Sequence, residues 1–163
     1  MTQTLASPAG YTGLQKRLHW LVAVLILLQF LVFDEMGRPY NQGLRAGEMP
    51  YDAITIGHIA VGSLILLLAA WRILLRIRHG APELPAEEPP VARIGAAVAH
   101  WGLYVLLFAL PITGLIGWFG GAKTLAGLHE AGSNLLLALA GLHVLAVAAH
   151  QFWWRTGLLR RMT

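Results

Sequence analysis

The sequence predicts an all-α integral membrane protein folded as a four-helix bundle. Three observations predict it: four apolar stretches long enough to cross a bilayer, charges confined to the gaps between them, and tryptophans near their ends. Of the 163 residues, 56% are hydrophobic and 12% charged, and the mean hydropathy is +0.60. A soluble domain of this size carries about twice that share of charge. A single transmembrane domain therefore accounts for residues 1–163, with spans at about 15–34, 53–76, 94–119 and 125–153.

Each span has recognisable limits. The first follows Lys16-Arg17 and stops at Asp34-Glu35, and with no small-residue cleavage site after a short apolar core it reads as a retained span rather than a signal peptide. The second is closed by Arg76, Arg78 and His79. The third contains Pro111, which removes one backbone donor and is expected to kink the helix. A connector from Gly80 to Pro90, rich in Pro, Ala and Glu, separates spans two and three, and the other connectors are short or glycine-rich.

Charge gives the orientation. Lys16, Arg17, Arg72, Arg76, Arg78, Arg93, Arg155, Arg160 and Arg161 lie toward the side of the termini, against Arg38, Arg45 and Lys123 on the other. The positive-inside rule then puts both termini in the cytoplasm. The net charge of +4 and the pI near 10 are thus topology signals at span ends, and nucleic acid is excluded as a partner. Trp20, Trp71, Trp101, Trp118, Trp153 and Trp154 all fall near span ends, as an interfacial belt requires. There is no cysteine, which excludes disulfides, iron–sulfur clusters and covalently attached c-type haem.

Histidine is the informative residue. An ionisable side chain inside a span is costly and points to function, and six of the seven histidines lie in or at the edges of spans. His58 and His129 fall toward the outside, His19, His100 and His150 toward the cytoplasm, with His143 between these layers and nearer the inner one. His129 and His143 are 14 residues apart, which is about 21 Å along a helix and nearly the same face. One metal cannot serve both, whereas two stacked haems need one histidine each from a shared helix. His58 then shares the outer layer with His129, and His19 shares the inner layer with His143 or His150. His100 and His150 are also suited to a quinone site, where an imidazole supplies protons near neutral pH. Arg72, 14 residues after His58, is placed either to pair with an inner propionate or to anchor the cytoplasmic interface. A histidine bonded to a backbone carbonyl or reaching to interfacial water is the ordinary alternative, and His79 in its basic loop fits that description. Gly57, Gly62, Gly114, Gly117, Gly132 and Gly141 suit the close approach of a porphyrin and equally suit ordinary helix packing.

Arg17-Leu18-His19-Trp20, His58 with Arg72 behind it, the segment from Ala109 to Leu115, Leu128-His129-Glu130, Gly141-Leu142-His143 and Ala149-His150 together carry a resemblance. Over nearly its whole length the chain resembles the bacterial cytochrome b561 family of di-haem, four-helix type. The resemblance implies two haem b, with His58 and His129 as axial ligands of the outer iron and His19 and His143 of the inner one. It places His100 and His150 where a quinone headgroup is expected, and the protein in the bacterial inner membrane. Some members are superoxide:ubiquinone oxidoreductases, so ubiquinone and superoxide, or another periplasmic electron donor, are the implied partners beside the lipid bilayer. The stretch from Gly120 to about Ala126 is shorter than its counterpart in the best-known superoxide oxidase. Lys123, Arg38 and Arg45 are the cations left to steer an anion there, opposed by Asp34, Glu35, Glu48 and Asp52. Two further readings stand beside this one: an electron-carrier cytochrome b subunit for a separate redox partner, and a histidine-lined metal or proton transporter.

Overall fold

In the computed structural model, which describes residues 10–83 and 88–163, the chain is wholly helical. The polar stretch before Gly10 and the middle of the connector between spans two and three lie outside the described residues. Four helices are long and apolar enough to cross a membrane: α1 (Gly13–Val32), α3 (Ala53–His79), α4 (Pro90–Gly120) and α5 (Lys123–Phe152). Between α1 and α3 the chain forms a further short helix, α2 (Gly37–Ala46). Sequence reading takes that region as a connector, because it is polar and interrupted by Gly and Pro.

Local chemistry sets the helix ends. Thr12 caps α1 through a reciprocal box, its hydroxyl accepting from the Gln15 amide while the Gln15 side chain accepts from the Thr12 amide. Asp52 caps α3, its carboxylate accepting from the Thr55 amide at 2.8 Å. Gly47 ends α2 at φ 75° and Gly121 ends α4 at φ 62°, left-handed positions that only glycine adopts without strain. Pro111 lies inside α4 without ending it; the Thr113 hydroxyl donates to the carbonyl of Ala109 at 2.7 Å one turn back.

The spans pack unequally. Backbones approach closely between α4 and α5, between α1 and α3, and between α3 and α4. The core is built from α1, α3 and α4, with Leu18, Val22, Ile65, Leu68, Ala69, Leu75 and Leu107 in one cluster. From α5 only Leu136 is fully buried. Gly117 lets α4 meet α5, since a Cβ there would lie 3.0 Å from the Ala126 amide nitrogen. Gly57, Gly62 and Gly132 likewise face the Phe33 ring, the Gln29 amide and the Leu110 side chain, so these three serve helix packing. Gly141 faces open space.

Trp118 departs from the expected belt. It is 5% exposed, with its ring centroid 6.1 Å from that of Tyr40 and 6.2 Å from that of Tyr51. The α2 segment covers this end of α4 and takes its tryptophan out of the interface. Trp20, Trp71, Trp101, Trp153 and Trp154 remain exposed.

Replacing Gly117 by Val should cost about 1–3 kcal/mol by forcing α4 and α5 apart, read as a lowered thermal midpoint in detergent. Gly127→Ala, where a Cβ meets nothing, should leave the midpoint unchanged or slightly raised. The Thr55 amide holds the Asp52 carboxyl below the usual carboxylate range. Its cap contribution is therefore complete above the ordinary carboxylate pKa and is lost as pH falls through the lowered one. Hydrogen-exchange protection factors at the start of α3, which take out the intrinsic pH dependence of exchange, should fall on acidification, and Asp52→Asn should remove that fall.

Candidate functional site

The histidines meet in two groups. In the group farther from the termini, outer in the expected orientation, His58 on α3 and His129 on α5 face each other, ring centroids 5.9 Å apart and planes inclined by 67°. His58 Nδ1 lies 2.9 Å from the carbonyl oxygen of Phe33, the residue that ends α1 and whose carbonyl lies beyond the last helical turn. His129 Nδ1 lies 2.7 Å from the carbonyl oxygen of Leu110, just ahead of Pro111. A carbonyl only accepts, so both Nδ1 atoms carry the proton and donate, which leaves each Nε2 with a free lone pair. Gly114 makes the second contact possible: a Cβ there would stand 2.9 Å from His129 Nδ1. Gln29 steadies the same region, its amide nitrogen donating to the His58 carbonyl at 3.0 Å.

The inner group holds three imidazoles. His143 on α5 is central, with His19 on α1 at 6.4 Å and His100 on α4 at 5.3 Å between ring centroids. Arg72 reaches this group from α3, its guanidinium 3.1 Å from His19 Nδ1 and over the Tyr104 ring at 5.7 Å. Arginine only donates, so His19 Nδ1 accepts and neutral His19 carries its proton on Nε2. That tautomer and a metal bound at Nε2 exclude each other, so ligation by His19 requires Arg72 to release it. Tyr104 is a neighbour that sequence reading missed, since an aromatic residue one turn after His100 gives no signal apart from ordinary packing.

His150 stands apart from both groups, two turns beyond His143 on the same face of α5. Its Nδ1 is 3.2 Å from the Thr156 hydroxyl and its Nε2 is 3.4 Å from a Glu88 carboxylate oxygen. Neither partner was legible in the sequence. His79, read as an ordinary loop histidine, bonds back to the Leu75 carbonyl at the end of α3.

This geometry fits a haem better than a bare ion. Two imidazoles on opposite sides of one metal, each nitrogen about 2 Å from it, have centroids about 6 Å apart. The outer pair and the His19–His143 pair match that spacing. The close packing of α5 runs along α4, and His143 and His129 bring their rings to His19 on α1 and His58 on α3. Among the described residues no group of three or more His, Cys, Asp or Glu is placed to hold a metal ion alone.

Comparison with known proteins agrees with this chemistry. A family model described as prokaryotic cytochrome b561 matches residues 10–163. A cytochrome b562 of Cereibacter sphaeroides is 33% identical over 94% of this chain and 94% of its own length. A probable superoxide oxidase CybB of Yersinia pestis is 28% identical over 93% of this chain and 94% of its own. Cytochrome b561 homolog 2 of Escherichia coli is 25% identical over 96% and 92%.

Gly114→Val should push the His129 ring off the Leu110 carbonyl and release its tautomer. The expected outcome is a weakened b-type absorbance, whereas Gly141→Val should leave the spectrum intact.

Proposed function

The chain belongs to the prokaryotic cytochrome b561 family, a membrane electron-transfer family whose b-type character implies haem b, and from that premise we propose a superoxide:ubiquinone oxidoreductase carrying two haems. The single domain lies in the bacterial inner membrane with both termini cytoplasmic. It takes electrons from superoxide at the periplasmic face and delivers them to ubiquinone near the inner histidines. The observation that carries the reading is the pair of facing imidazoles at each level of the bundle.

In this reading His58 and His129 hold the outer iron and His19 and His143 the inner one. Bound haem b supplies a one-electron centre at each level. The outer histidines are prepared for ligation by their carbonyl bonds, which orient each ring and raise the basicity of Nε2. At the inner level Arg72 must leave His19, and a carboxylate such as a propionate is the partner its guanidinium then suits.

Quinone reduction consumes two electrons and two protons. His100 and His150 lie on the terminal side, where water supplies those protons. With the Thr156 hydroxyl accepting from Nδ1, Nε2 of His150 and the Glu88 carboxylate face each other across one exchangeable proton. An apolar groove of about 360 Å³ between α3 and α4, lined by Ile73, Trp101, Tyr104, Val105, Phe108 and Ile112, suits an isoprenoid tail beside His100.

A second reading, an electron carrier for a separate redox protein, is favoured by one observation. Only Gly121 and Ala122 join α4 to α5, so this turn offers no loop for binding a small anion, and Lys123 stands there as the first residue of α5. Stopped-flow reduction by superoxide, with and without ubiquinone, decides between them. Rapid haem reduction followed by quinone-dependent reoxidation is expected; haems that stay oxidised under superoxide establish the carrier.

His58→Ala and His129→Ala should each remove one of two haems by pyridine haemochrome. His150→Ala and His100→Ala should keep both while slowing quinone-dependent reoxidation by about 100-fold. Unchanged reoxidation in His150→Ala with full haem content would remove its proton-transfer role.

A further inference from the structure

The outer end of the bundle contains two buried hydrogen-bond donors with nothing to bond to. Trp118 is 5% exposed, and neither its Nε1 nor the Tyr40 hydroxyl has a hydrogen-bond partner. The two rings lie 6.1 Å apart between centroids, Trp118 on the last turn of α4 and Tyr40 on α2. An indole N–H only donates, so what is missing beside Trp118 is an acceptor. Burying such a donor unsatisfied is costly enough that native proteins nearly always supply a partner.

The register says where that acceptor comes from. Gly114 is the residue on which the His129 ring rests, and Trp118 is one turn further toward the outer end of α4, about 6 Å along the axis. The donors therefore sit just outside the level of the His58–His129 pair, on the side where α2 closes the bundle. The polar edge of a haem held by that pair is two carboxylates, acceptors with several lone pairs each. The geometry points to Trp118 Nε1 and the Tyr40 hydroxyl as the donors that hold a propionate of the outer haem, with α2 as the element that brings Tyr40 to it. This rests on the proposed ligation by His58 and His129. It also gives α2 and the buried Trp118 a function that helix packing alone does not.

Potentiometric titration of the purified holoprotein, resolving the two haems, tests it with Trp118→Phe and Tyr40→Phe, which keep the rings and remove only the donors. A propionate that loses a donor keeps more effective negative charge near the iron, which favours Fe(III). The midpoint of one haem should fall in each variant, and its pH dependence should move to higher pH. The haem affected should be the one missing from His58→Ala. Trp153→Phe, which changes an exposed tryptophan at the other end of the bundle, should leave both midpoints in place. Unchanged midpoints in both Trp118→Phe and Tyr40→Phe, with two haems still present, overturn the inference and assign the donors to a buried water. A His58→Ala protein that retains both haems overturns the ligation reading instead, so the two failures are told apart. Should Trp118→Phe not fold, Tyr40→Phe alone decides.

Discussion

The arrangement depends on two hydrogen bonds from imidazole to main chain. His58 donates to Phe33 and His129 to Leu110, and each bond fixes a tautomer and a ring plane at once. Both acceptors are where they are for local reasons: Phe33 ends α1, and the Leu110 carbonyl is open to His129 because Gly114 has no side chain to block the ring. Through these bonds all four spans contribute to one site. α3 and α5 bring the rings, and α1 and α4 aim them.

The inner group is built differently. Among the described residues no carbonyl orients His19; a guanidinium occupies its Nδ1, and His143 has two imidazole neighbours rather than one. The two levels thus differ in how firmly the protein sets the ligand geometry in advance. The outer level is set by imidazole bonds to main-chain carbonyls of neighbouring spans, the inner one by contacts among side chains. A site that exchanges protons with a diffusing substrate is served by such side-chain contacts, whereas a relay that only passes electrons is served by rigidity.

The spans and their histidines were legible in the sequence because both obey long-range periodicities. An apolar run of bilayer length shows itself without any partner, and the 14-residue interval from His129 to His143 is a property of one helix. What was hidden depends on contacts between distant segments. The short helix α2 is polar and carries no apolar stripe long enough to notice, so its cover over Trp118 was invisible and that residue read as an interfacial anchor. Depth alone left His143 and His150 as competitors for His19, and the resemblance favoured His143; the ring contact with His143 and the Glu88 and Thr156 partners of His150 separate their positions. The competing closeness of His100 to His143 was beyond reach, since register between α4 and α5 is set by contacts between distant residues, Gly117 against Ala126 and His129 against Gly114 and Leu110.

The turn between α4 and α5 is as short as two residues can make it, and this concentrates the outer surface in one place. Whatever meets that face of the molecule meets the segment from Asp34 to Asp52. That segment is also packed on the spans, since Tyr40 of α2 and Tyr51 lie against Trp118 at the end of α4. The segment that forms the surface at this end therefore also closes the bundle, and an exchange of that segment between relatives would alter surface and packing together.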